Sequence, residues 1–198
     1  MKKIGIIKYG AGNLFSLCAT LDRLQLPFGF ISEEAQIEEF SHLLIPGVGH
    51  AARAFEKLTQ TGLVEALKNT SKPTLGICVG MQLLTSYSDE GEVDLTGIFP
   101  QKTIKFPTLK TIKIPHMGWN KVHFEPVGIF KNIPPDSYFY FVHSYFIEYN
   151  PKFDIGFCQY GLQFSAAIQR DNYVGVQFHP EKSGRAGEQL LLNFYNTD

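Results

Sequence analysis

Two periodicities alternate along the first half of the chain, and that alternation restricts the fold more than any other feature. Residues 4–7 (Ile-Gly-Ile-Ile) are a short, continuous apolar run, as a strand covered on both faces requires. Over 13–24, Leu14, Leu17, Cys18, Leu21 and Leu24 recur every three or four positions and predict a helix, and 28–31 (Phe-Gly-Phe-Ile) reads as a strand again. The pattern then repeats. It gives a strand at 42–46, a helix over about 51–68 with Phe55, Leu58, Leu63, Val64 and Leu67 on its apolar side, a strand at 73–78 and a helix from Gly80. Strands and helices that alternate through short connections build a parallel sheet with right-handed crossovers and helices on both faces. The expected fold class is α/β.

From Leu95 onward the character changes. Residues 98–125 and 137–180 mix β-branched, aromatic and polar positions between turn signals at Pro100, Pro107, Pro115, Pro134-Pro135 and Pro151, which predicts antiparallel strands that extend the parallel sheet or lie beside it. A helix over 186–195, with Leu190, Leu191 and Phe194 apolar, closes the chain. No linker, repeat or low-complexity segment interrupts it, so one domain over 1–198 is expected.

Composition removes several function classes. Eighteen Lys and Arg balance nineteen Asp and Glu, leaving no basic excess to displace counterions from a nucleic acid. The most lipophilic stretch, 138–146, is far shorter than a membrane span and carries His143-Ser144 inside it. Lys2-Lys3 before an apolar run resembles the start of a secretory signal, but Lys8, Gly10 and Gly12 break the run, so none is expected. Cys18, Cys78 and Cys158 are an odd set without C-x-x-C spacing, which points to reduced thiols in a cytoplasm and to no metal site.

The sharpest local signal is Gly76-Ile77-Cys78-Val79-Gly80, at the junction of a strand and a helix. A nucleophile elbow needs this G-x-C-x-G form, because the central residue occupies a tight turn whose neighbours cannot carry bulk. Cys78 would stand at the start of the following helix, where free N–H groups favour a thiolate and can hold an oxyanion. The same five residues also suit a strand-end cysteine between two packing glycines. A second signal is His179-Pro180-Glu181, after the apolar run 173–178. Proline is expected to hold this segment extended, so that Glu181 points the same way as His179 and orients its ring. Base and orienter would then complete a Cys–His–carboxylate set able to attack an amide. A solvated surface turn fits the triplet as well. Pro46-Gly47-Val48-Gly49, at the end of the strand 42–46, can supply a second oxyanion donor or serve as an ordinary strand-to-helix turn. His42, His50, His116, His123 and His143 lack metal-ligand spacing.

Together, PGVG at 46–49, GICVGMQ at 76–82 and HPE at 179–181, in that order on an α/β chain of this length, resemble the class-I, triad-type glutamine amidotransferases. The resemblance implies a flavodoxin-like, mostly parallel sheet, with Cys78 as nucleophile, His179 as base and Glu181 as its orienting acid. It also implies oxyanion and substrate contacts from Val48, Gly49, Val79, Gln82, His143, Ser144 and Tyr145, L-glutamine as substrate, and no cofactor. Tyr9-Gly-Ala-Gly-Asn13, Pro115-His-Met-Gly-Trp-Asn120, Tyr140-Phe-Val-His-Ser-Tyr145 and Gln177-Phe-His-Pro-Glu-Lys-Ser183 extend the likeness over almost the whole chain. They are similar to members that pass ammonia to a (β/α)8-barrel cyclase subunit of the histidine pathway. That implies a heterodimer with Tyr9, Asn13, Met117, Trp119 and Asn120 at the partner surface. Two departures stand out: Val79 replaces the usual Leu after the cysteine, and Lys8 replaces a usual acid. The runner-up expectation keeps the same glutaminase chemistry and changes the acceptor, to a sugar- or glycan-modifying synthase.

Overall fold

The computed structural model describes residues 2–10, 14–108 and 110–197. The first half carries β1 (Ile4–Ile7), α1 (Phe15–Arg23), β2 (Phe28–Ile31), β3 (His42–Ile45), α2 (Ala51–Gln60), α3 (Leu63–Asn69), β4 (Thr74–Ile77) and α4 (Val79–Leu83). The second half carries β5 (Tyr87–Ser88), β6 (Val93–Asp94), β7 (Lys102–Lys105), β8 (His116–Lys121), β9 (His123–Phe124) and β10 (Tyr138–His143). It continues through β11 (Tyr145–Glu148), β12 (Asp154–Tyr160), β13 (Leu162–Arg170) and β14 (Tyr173–Val176) to α5 (Gly184–Tyr195).

Among the described residues twelve strands form one sheet, running β2-β1-β3-β4-β14-β13-β11-β7-β5-β6 with β12 and β9 branching from β13. The pairings from β2 to β14 are all parallel, and β13 joins β14 antiparallel, so the two periodicities of the sequence meet in one continuous sheet. Every residue of β1, β3 and β4 is buried, as apolar strands covered on both faces must be. The α/β class is therefore as expected. The two halves are packed differently: Ile and Leu fill the parallel part, whereas the antiparallel part is filled by phenylalanines such as Phe139 and Phe178, whose ring centroids are 4.1 Å apart. β8 and β10 form a separate antiparallel ribbon.

Three elements differ from expectation. The single helix over 51–68 is two helices, because Gly62 takes a left-handed φ of 74° between them and redirects the chain. Residues Glu34–Glu39 form a 3₁₀ helix where no element was foreseen. The helix after Cys78 is only five residues long, so its N–H groups matter locally and it builds little macrodipole.

Candidate active site

Cys78 follows β4 directly and has φ 54° and ψ −110°, a conformation that costs a non-glycine residue free energy. Two hydrogen bonds hold it there: its N–H donates to Val176 O at 2.8 Å, and its carbonyl accepts from Gln82 N at 3.1 Å. The flanking glycines are required sterically. A Cβ on Gly76 would come within 2.6 Å of Gly80 O, and one on Gly80 would collide with the Ile45 carbonyl on the neighbouring strand. Strand, turn and helix can cross only because both side chains are absent.

The sheet order explains what meets Cys78. β14 pairs parallel with β4, with Val176 opposite Ile77, so the segment leaving β14 emerges beside Cys78. β3 flanks β4 on the other side, and the Pro46–Gly49 turn emerges at the same end. Ligand sites of α/β sheets form at these carboxyl ends. His179 is 1% exposed, and its ring Nδ1 lies 2.9 Å from Glu181 Oε1. Its main chain is clamped as well: its N–H donates to Tyr140 O at 2.9 Å, and its carbonyl accepts from Ser183 Oγ at 2.6 Å. The other ring nitrogen, Nε2, is buried without a hydrogen-bond partner among the described residues. Burial acts to lower the His179 pKa, but the nearby Cys78 and Glu181 outweigh it and push the value up to about 10.

Glu181 reaches His179 by a route other than the extended one expected. Pro180–Lys182 is a 3₁₀ turn with His179 extended at its N-cap. Proline lacks an N–H and has a fixed φ, which suits the first position of a helical turn, and the turn folds Glu181 back onto the imidazole.

Cys78 and His179 open into a cavity of about 190 Å³. Val48, Gly49 and Val79 line it beside the cysteine, and Gln82, His143, Ser144 and Tyr145 form the rest of the expected wall. Val142 and Glu90 also line it and were not singled out in the sequence. Glu90 Oε2 accepts from the Ala51 N–H at 2.6 Å, at the start of α2. It stands in the acidic stretch Ser88-Asp-Glu-Gly-Glu-Val-Asp94, which reads as a solvated turn, so no local pattern marks it.

The residues expected at a partner surface separate. Met117 and Trp119 are 63% and 55% exposed on β8. Asn120 is half-buried and tied to His116 and to the Gln159 carbonyl. Tyr9 is a correction: it is buried and its hydroxyl donates to the Pro46 carbonyl, so it braces the turn beside the elbow. Burial and then the nearby Cys78 charge raise its phenol pKa above the ordinary value. Asn13 lies outside the described residues.

A family model described as "Glutamine amidotransferase class-I" matches residues 9–197, and the chain belongs to that family. Within it, the chain is 45% identical over 195 residues to the imidazole glycerol phosphate synthase subunit HisH of Pasteurella multocida, covering 98% of each chain. It is 44% identical over 200 residues to the HisH subunit of Moorella thermoacetica, covering 98% of this chain and 94% of that one. At that identity and coverage the chain is a member of the HisH family and a glutamine amidotransferase enzyme subunit. Among solved structures, PurLQS from Thermotoga maritima superimposes with a TM-score of 0.70 over 98% of both chains at 15% identity, a likeness of fold.

Proposed function

We propose that the cavity binds L-glutamine and that Cys78, His179 and Glu181 hydrolyse its carboxamide. The observation that carries this reading is the buried Glu181–His179 pair directed at a cysteine held in a strand-end turn. His179 takes the thiol proton on Nε2 while Glu181 accepts from Nδ1, and Cys78 sulfur adds to the carboxamide carbon. The N–H groups of Val79 and of the Val48-Gly49 turn hold the oxyanion, and His179 returns the proton to the departing ammonia. Water, deprotonated by the same imidazole, then opens the thioester and releases glutamate. Glu90 supplies negative charge for the substrate's α-ammonium group.

The ammonia is delivered to a (β/α)8-barrel cyclase subunit that docks on Met117, Trp119 and Asn120. There it is incorporated to give imidazole glycerol phosphate and an aminoimidazole carboxamide ribonucleotide, a step of histidine biosynthesis that runs in the cytoplasm. The names of the HisH relatives support this acceptor over a sugar- or glycan-modifying synthase. Co-purification of the native protein, followed by assays of glutamate and product with and without the protein that accompanies it, tests the reading. A barrel cyclase that raises glutamine turnover is the expected result. Glutaminase activity coupled to another acceptor would replace the assignment.

A further inference from the structure

A hydrogen-bonded chain that takes no part in the chemistry above runs from β8 to Cys78. In the β8–β10 ribbon His116 stands directly opposite His143, and His116 Nδ1 is 2.9 Å from His143 Nε2. His143 Nδ1 is 2.7 Å from the Tyr145 carbonyl oxygen. On the other side, Asn120 Nδ2 is 3.3 Å from His116 Nε2 and donates to Gln159 O at 3.2 Å. The Tyr145 carbonyl also accepts from Gln82 Nε2 at 3.3 Å. The Gln82 amide donates in addition to Gln177 Oε1 at 3.1 Å, and Gln177 Nε2 donates to Cys78 Sγ at 3.6 Å.

One end of this chain settles the polarity of the rest. A carbonyl oxygen can only accept, so His143 carries its proton on Nδ1. The bare Nε2 of that neutral ring can only accept, so His116 donates from its own Nδ1. His116 Nε2 is then an acceptor, and Asn120 is its donor. Both rings are kept neutral: burial holds the His116 pKa down at about 4 and, with added repulsion from His116, holds His143 at about 3. His116, His143, Gln82 and Gln177 are all buried, and a satisfied buried network permits one geometry.

We infer that His116 is a positioning residue for the glutaminase site: by donating to His143 it locks the one tautomer that grips the Tyr145 carbonyl, and through that carbonyl it holds the Gln82 and Gln177 amides against Cys78. The inference rests on the glutaminase role of Cys78 proposed above. Without the His116 donor, His143 Nε2 is buried and unpaired, and a change of tautomer turns a lone pair toward the Tyr145 oxygen. The cavity wall at Ser144 and Tyr145 then loses its anchor.

Two substitutions separate hydrogen bonding from packing. The His116 ring stacks on Tyr160 with centroids 3.9 Å apart and on Phe141 at 4.8 Å. His116→Phe keeps a stacked ring and removes the donor, whereas His116→Asn keeps an amide donor near Nδ1 and removes the stacking. With the cyclase complex, His116→Phe should lower kcat/KM for glutamine hydrolysis roughly 10- to 100-fold, as small misplacements of reacting groups do, with ammonium-dependent synthesis unchanged. His116→Asn should lose clearly less. An Asn variant impaired as much as the Phe variant, or a Phe variant at the parent rate, overturns the proposal. Cys78→Ala, assayed alongside, keeps the two readings apart: if it still hydrolyses glutamine, the glutaminase reading itself fails. A second measurement needs no variant. Long-range ¹H–¹⁵N spectra of the parent protein at neutral pH should show both rings neutral with the proton on Nδ1, and a protonated ring or an Nε2–H tautomer at either position overturns the inference.

Discussion

Cys78 and Cys158 are buried to nearly the same degree, 3% and 0% exposed, one just past a strand of the large sheet and one within another of its strands. Cys158 lies within β12 in the aromatic half, paired with Phe164, and burial pushes its thiol up to about 12. Cys78 stands just past β4, in a turn that a cysteine adopts at a cost, and faces a cavity that it shares with His179. What differs is the company in which each thiol is buried. The Cys158 thiol loses its water, and the backbone hydrogen bond from Gln159 that favours its charged form is outweighed by that loss. Cys78 is enclosed together with an imidazole and the carboxylate behind it, and the His179 proton is held to about pH 10 by that partnership.

Removing sulfur at each site is the strongest test of the contrast. Cys78→Ala should take glutamine-dependent synthesis to background and leave ammonium-dependent synthesis by the complex intact. Cys158→Ala should leave both rates unchanged and cost about 1 kcal/mol of folding stability from lost core packing. Iodoacetamide followed by peptide mass analysis should find the label on Cys78, and faster labelling of Cys158 would invert the comparison.

The next effect in size concerns the imidazole. His179→Asn should slow glutamine hydrolysis about 10²- to 10⁴-fold, the range for a lost general base. Glu181→Gln should cost less, because the clamps from Tyr140 and Ser183 still hold the His179 main chain. It should also move the pH profile. In the parent, activity should persist to high pH and fall as His179 loses its proton near pH 10. Deleting the carboxylate removes one of the interactions that raise the pKa, so the falling limb should shift to lower pH; an unmoved limb would exclude Glu181 from the pairing. The same raised pKa contributes folding stability that is fully present below about pH 6.5, the ordinary histidine value, and is lost as pH rises through about 10.

The smallest expected effect on the isolated chain comes from Trp119→Ala. The ring is exposed and meets Tyr140 edge-on at 6.2 Å, so the fold and the basal turnover should survive. Binding of the cyclase should weaken, or the product-to-glutamate ratio should fall, as for an aromatic interface anchor. Unchanged values of both would remove β8 from the partner surface.

Features that depend on neighbouring residues were legible in the sequence. The strands at 4–7, 28–31 and 42–46 show as short apolar runs bounded by turns, and the G-x-C-x-G form shows because a tight strand-to-helix turn needs bare positions around its central residue, although the Ile45 carbonyl that Gly80 makes room for lies on another strand. Where tertiary contacts chose between local options, the reading went astray. Gly62 divides a helix whose apolar positions are continuous in period, and Pro180 opens a 3₁₀ turn where an extended strand was equally allowed. Tyr9 looks like a surface aromatic beside a glycine turn, yet the Pro46 carbonyl holds it inside.

By itself, then, the sequence determined the α/β class and narrowed G-x-C-x-G and His179-Pro180-Glu181 to two local readings each, since those depend on short-range sterics and periodicity. The tertiary structure alone decided that β14 lies beside β4, and so that His179 arrives next to Cys78. It also brought Glu90, Val142 and Tyr145 to one cavity and His116 opposite His143. These neighbours are distant in the chain, and strand order and register, set by the burial of whole faces, cannot be read from any one segment.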